Sequence, residues 1–118
     1  MWIALFKTLE GLPRYGDGPD IPEPLPDPRV EMYNFDISRE HWDYVEQDFI
    51  SPVYHLCNAL FDFCDVDYLN AEQCAKLKSW LEGRLARDVP DYLAPIYTKL
   101  LEYTIQAVEL KTGIMVEL

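Results

Sequence analysis

Apolar and polar positions change rhythm along this chain, and the changes predict its elements. Residues 2–8 open on an apolar, β-leaning run, Trp2 to Phe6, and predict a strand. Val30, Met32, Tyr33 and Phe35, set among Arg29, Glu31 and Asn34, predict a second strand over 30–35 with imperfect alternation. Between them, residues 11–28 hold Gly11, Gly16, Gly18 and six of the nine prolines. Repeated proline removes backbone donors and fixes φ, so this segment reads as an extended, partly polyproline-like loop. It is expected to lie along the body as a stiff connector rather than to serve as a ligand for a proline-recognising groove.

From Ser38 the period becomes helical. Ser38 is a candidate N-cap, Glu40 suits the first turn, and Trp42, Val45 and Phe49 recur at inward spacing. Ser51-Pro52 repeats the start signal. It predicts a second helix that buries Val53, Leu56, Cys57, Leu60, Phe61 and Cys64 and ends at Asp65-Val66-Asp67. Asn70 and Gln73 form a capping-box pattern. The helix after it carries a stripe of Cys74, Leu77, Leu81 and Leu85, with Lys76, Lys78, Glu82 and Arg84 around it. Pro90 and Pro95 bound a short turn. A last helix over 95–112 places Ile96, Leu100, Tyr103, Thr104, Ala107 and Leu110 on one face, with Gly113 as a left-handed cap. Residues 114–118 are apolar and suited to pair with an N-terminal strand.

The pattern therefore predicts a mostly α fold: about four helices around one core, with a small β element from 2–8, 30–35 and 114–118. At 118 residues one domain is expected, spanning 1–118, with 11–28 as an ordered loop within it. A hydrophobic content of 49%, including sixteen aromatics, separates this chain from a disordered acidic tail. No apolar run approaches the roughly 18–20 residues of a membrane span. The apolar start lacks a preceding basic flank and is interrupted by Lys7 and Glu10, so a retained strand and a cytoplasmic address are expected. Cys57, Cys64 and Cys74 have no paired spacing. On one helix Cys57 and Cys64 would lie about 10.5 Å apart along the axis, beyond disulfide reach. Buried free thiols in a reducing compartment are the expectation.

Charge is the strongest functional signal in the chain. The net charge of −11 is uneven: residues 40–75 carry eight acids and no Lys or Arg, residues 1–39 carry −3, and residues 76–118 balance. Such a field attracts basic partners and repels nucleic acid and membrane surfaces, so direct phosphate-backbone binding is not expected.

Catalytic chemistry is poorly supplied. Ser38 and Ser51 sit at predicted helix starts, and there is no GxSxG elbow or glycine-rich phosphate loop. His55 and Cys57, two residues apart on a helix, would diverge by about 200° and form no local dyad. His41, His55, Asp62, Asp65 and Asp67 are the candidate metal ligands, without the Glu-x-x-His or His-Glu-x-x-His spacings. The DxD string at 65–67 lacks a phosphate-binding companion, and the glycine and distal glutamate of a calcium loop are missing. A solvated acidic loop closing a helix is the expected role. No catalytic, cofactor-binding or metal-binding residue is assigned, and no cofactor is expected.

What remains is an acidic face. Asp43 and Glu46 fall opposite the apolar side of the 38–50 helix, with Asp48 at its edge. If the next helix folds back antiparallel, the loop acids Asp62, Asp65 and Asp67 return near them, flanked by Tyr44, Tyr54, Tyr68 and Trp80. Acids interleaved with Tyr and Trp suit an Arg- and Lys-rich partner. The expected partner-binding residues are Asp43, Glu46, Asp62, Asp65, Asp67, Tyr44 and Tyr68. In size, charge and lack of a catalytic motif the chain resembles the small acidic inhibitors of bacteria and phages: immunity proteins, antitoxins and nucleic-acid mimics. That likeness implies occlusion of a basic protein, such as a nuclease toxin, and carries over no motif or residue. The alternatives are a metal-dependent enzyme or metal-binding protein using His41, His55 and the 62–67 acids, and an assembly subunit, a homo-oligomer whose 114–118 edge pairs between copies.

Overall fold

The computed structural model describes residues 1–59 and 62–118. Among the described residues there are six strands: β1 (Trp2–Phe6), β2 (Arg14–Tyr15), β3 (Gly18–Pro19), β4 (Val30–Asn34), β5 (Val66–Asn70) and β6 (Gly113–Glu117). β4, β1, β6 and β5, in that spatial order, make one antiparallel sheet, and β2 and β3 form a separate small hairpin. Three helical stretches accompany them: α1 over 39–57, α2 (Ala71–Leu85) and α3 (Ala94–Leu110). With 44% helix and 21% strand this is a mixed α/β fold. It corrects the expectation of a mostly α protein with four helices.

Two local events explain the correction. The first is that the two helices predicted over 38–50 and 51–64 are one. α1 opens as a 3-10 turn (Arg39–His41), becomes α-helical (Trp42–Val45), widens to a π-helix (Glu46–Ile50) and returns to α (Ser51–Cys57). Ser38 stands at its N-cap position without a side-chain capping bond. Inside a regular α-helix the Pro52 ring would clash with the carbonyl four residues back, and it has no N–H to offer. The π turn just before it, in which the Ser51 N–H donates to the Glu46 carbonyl, absorbs the proline without ending the helix. The helix stops at Cys57, where Asn58 turns left-handed, so Leu56 is exposed and Cys64 lies beyond the helix, exposed in the following loop. Leu60 and Phe61 lie outside the described residues. The second event is that 66–70, expected as the end of a helix and a loop, is strand β5.

α2 begins as predicted: the Asn70 side chain accepts from the Gln73 N–H and the Gln73 side chain accepts from the Asn70 N–H, both at 2.9 Å. α3 ends on Lys111 in the left-handed conformation, not on Gly113, and Leu110 is exposed where Tyr97 is buried. Gly113 instead starts β6. A Cβ there would run into the Leu69 carbonyl oxygen and the Tyr68 ring, so only glycine lets β5 and β6 approach this closely.

The sheet separates two apolar clusters. Ile3, Leu5, Leu69, Ile114 and Val116 face the helices, meeting Phe49, Val53, Leu81, Leu100 and Tyr103 in the main core. Ala4, Phe6, Val30 and Met115 face the other way, where Leu12 and Ile21 of the proline-rich segment, with Tyr68, cover them. Both sides of β1 are thus covered, which is why Trp2 to Phe6 reads as a continuous apolar run. The proline-rich segment is anchored by buried Pro19 and Pro22, and its Glu23–Pro24 and Leu25–Pro26 bonds are cis. No helix among the described residues is long and apolar enough to cross a membrane.

Candidate functional site

α1 buries Val45, Phe49, Ile50, Val53 and Cys57 and turns Glu40, Asp43, Tyr44, Glu46, Gln47 and Tyr54 to solvent. Asp43 and Glu46 have no cationic partner among the described residues. Tyr44, next to Asp43, exposes 42% of its surface. Its hydroxyl is not loose: it accepts a hydrogen bond from Arg84 Nη2 at 3.2 Å.

Arg84 opens a polar network beneath this face. It stands on α2 three residues after Leu81, on the buried stripe, and is only 5% exposed. Its Nε donates to both carboxylate oxygens of Asp48 (3.0 and 3.1 Å) and its Nη1 to the Asp88 carbonyl (2.8 Å). Tyr97, on α3, donates its hydroxyl to Asp48 Oδ2 at 2.7 Å. Asp48 lies in the π-helical turn, so the irregular part of α1 carries the carboxylate on which α2 and α3 converge. Hydrogen bonding to Asp48 holds the guanidinium firmly protonated. Burial, then the bond to Asp48, pushes the Tyr97 hydroxyl far above the ordinary tyrosine range. His41 stacks on Tyr92 with ring centroids 3.8 Å apart. This contact and the Arg84–Asp88 bond set the α2–α3 connection, with exposed Asp88 and Asp91, beside the first half of α1.

The loop acids meet different fates. The Phe63 ring stacks on Trp42 at 4.5 Å, tying the loop of exposed Asp62 and Asp65 to the first turns of α1. Each of Asp62, Asp65 and Asp67 also accepts a hydrogen bond from the N–H of the next residue. Asp67 leaves the exposed set. It alternates with Leu69 toward the helix side of the sheet, and its Oδ2 is buried without a hydrogen-bond partner among the described residues. Burial raises its pKa. Tyr68 points to the opposite face, edge-on to Phe6 with centroids 5.9 Å apart, its hydroxyl donating to the Thr112 carbonyl at 3.4 Å. Tyr68 and Tyr44 therefore belong to different surfaces. Trp80 is half-buried against Phe49 and Tyr97.

His41 and His55 sit at opposite ends of α1, roughly 20 Å apart along its axis. Among the described residues no three His, Cys, Asp or Glu side chains converge as a metal ion requires. All three cysteines are free; Cys57 and Cys74 are buried, and burial pushes the Cys74 thiol up to about 12. No family model matches this chain, and no curated protein or solved structure matches it. Sequence reasoning missed Arg84, Asp48 and Tyr97 as a unit, and missed Asp88 and Asp91 as neighbours of the face. One signal was present: an arginine on the same helical stripe as Leu77 and Leu81.

Proposed function

We propose that this protein is a cytoplasmic binding protein that docks its acidic α1 face on a basic protein and occludes it, in the manner of an immunity protein or antitoxin. The observation that carries the reading is Tyr44: an exposed aromatic held in place by buried Arg84 and next to Asp43, which pairs with no cation among the described residues. A tyrosine fixed before binding loses little freedom on contact, which suits an anchor. Unpaired carboxylates along α1 and its neighbouring loop speed encounter with a basic partner and favour it over others. Three free cysteines support a reducing compartment.

The test replaces Asp43, Glu46, Asp62 and Asp65 by their amides and compares capture from a cell extract at low and high salt. Native protein should retain basic proteins at low salt and shed them at high salt, and the variant should retain few. Equal retention by both would defeat the proposal. Tyr44→Ala should then cost the captured partner at least about tenfold in affinity, the scale of an interface anchor.

A further inference from the structure

The two edges of the sheet are treated differently. On β5 the outward N–H groups are those of Val66, Tyr68 and Asn70, and each is already taken by a side chain. Asp65 Oδ1 accepts from Val66 at 2.9 Å, Asp67 Oδ1 from Tyr68 at 3.0 Å, and Gln73 Oε1 from Asn70 at 2.9 Å. That edge is closed to another strand. β6 lies between β1 and β5 and has no free edge at all, which removes the 114–118 pairing between copies.

On β4 the phase of the ladder follows from its ends. Lys7 N–H donates to the Arg29 carbonyl at 2.8 Å, and Phe35 N–H to the Met1 carbonyl at 3.1 Å. Bonded pairs alternate in an antiparallel ladder, so Glu31 and Tyr33 turn their backbone groups toward β1. Met32 and Asn34 turn theirs outward, and those N–H groups meet no acceptor among the described residues. Along this open edge runs a groove of about 560 Å³, walled by Leu25 and Pro26 and floored by Val30 and Met32. Leu25 and Met32 also line an adjoining groove that crosses the outer sheet face past Trp2 and Met115. The charged residues lining the two grooves are Asp20, Glu23 and Glu31, all acidic; among the described residues Asp20 and Glu23 form no ion pair, while Glu31 meets Lys7 at 3.7 Å.

We propose that the β4 edge receives an extended segment of a partner protein as a fifth strand, apolar at alternate positions and basic overall. Main-chain bonds to Met32 and Asn34 hold it, alternate apolar side chains enter the groove beside Leu25 and Met32, and the lysines or arginines between them point to the other face of the sheet, beside Glu31. A second copy of this chain is the wrong occupant, since it would bring another −11 to an acidic rim. The surface is separate from the α1 face, so either reading can fail alone.

The test uses a blocked eight-residue peptide of alternating valine and lysine, with a valine–glutamate peptide as control, and amide hydrogen exchange of the intact protein by NMR. At nine-tenths occupancy by the lysine peptide, exchange at Met32 and Asn34 should slow about tenfold, with Tyr68 unchanged. The glutamate peptide should slow neither. Asn34→Pro removes one outward donor and no bond to β1, a substitution an edge strand tolerates, and should weaken the lysine peptide about tenfold. Unchanged exchange at Met32 and Asn34, equal binding of both peptides, or an effect confined to α1 would each overturn the proposal. So would protection of these amides in the free protein that grows with its concentration, which would assign the edge to a second copy.

Discussion

Replacing Asp48 by asparagine strips the charge from the network beneath the acidic face while keeping its shape. Arg84 is then left 5% exposed with no counter-charge, and Tyr97 loses the carboxylate its hydroxyl approaches at 2.7 Å. Breaking a buried pair from one side costs about 3–5 kcal/mol. The Asp48 side chain is 19% exposed, so water reaches it and the lower end applies, about 3 kcal/mol. That corresponds to a fall in thermal midpoint of roughly 10 °C for a chain of this size. Tyr97→Phe removes one charge-assisted bond but leaves the ion pair intact, and should cost less, about 1–2 kcal/mol. Urea unfolding of both single variants and the double variant, followed by tryptophan fluorescence, measures each term. The slope should be unchanged, and the two substitutions should couple by about 1 kcal/mol. A loss below about 0.5 kcal/mol for Asp48→Asn would mean that the network does not hold the helices together, and the argument for a fixed Tyr44 would go with it.

Gly113→Ala should destabilise by about 2 kcal/mol or more in the same assay, because its Cβ meets the Leu69 carbonyl and the Tyr68 ring. Asp67→Asn should stabilise at pH 7 by at most about 1 kcal/mol, since burial disfavours the carboxylate charge, whereas the amide keeps the bond from the Tyr68 N–H and leaves the same buried position unpartnered. The sign follows from its raised pKa: the cost is absent below the ordinary aspartate value of about 3.9 and appears as pH rises, so the gain should vanish near pH 3. Burial also raises Cys74, to about 12, together with the Tyr97 and Tyr103 hydroxyls. These groups keep their protons in the native state when the unfolded chain loses them, so stability should fall as pH climbs from about 9 toward 12. Unfolding midpoints that stay flat across that window would contradict the burial of these groups.

The sequence foretold those parts of the fold whose signals are local. The Asn70–Gln73 box, the stripe of Cys74, Leu77 and Leu81, and strands β1, β4 and β6 all follow from side-chain type and spacing within a few residues. Two features misled because a distant or compensating element decided them. Ser51-Pro52 carries every mark of a helix start, yet the π turn upstream accommodates the ring and the helix runs on. Residues 66–70 show one acid, Asp67, and no clean alternation, and become a strand because β6 offers an edge from nearly fifty residues away. Of the predicted face, Asp43, Tyr44 and Glu46 share α1 and Asp62 and Asp65 return beside its start through the Phe63–Trp42 stack. Asp67 and Tyr68 leave it, because strand alternation sends them to opposite sides of the sheet. The polar network is hidden in the sequence for a related reason: the pattern sets Arg84 on the polar flank of α2, and only the tertiary fold brings Asp48 and Tyr97 to it.

Whether the α1 face binds a basic protein is decided by capture with native protein and the Asp43, Glu46, Asp62 and Asp65 amide variant side by side. Basic proteins held by the native chain at low salt, released at high salt and missing from the variant are the predicted result. The same proteins bound equally by both, or none bound by the native chain, would contradict it.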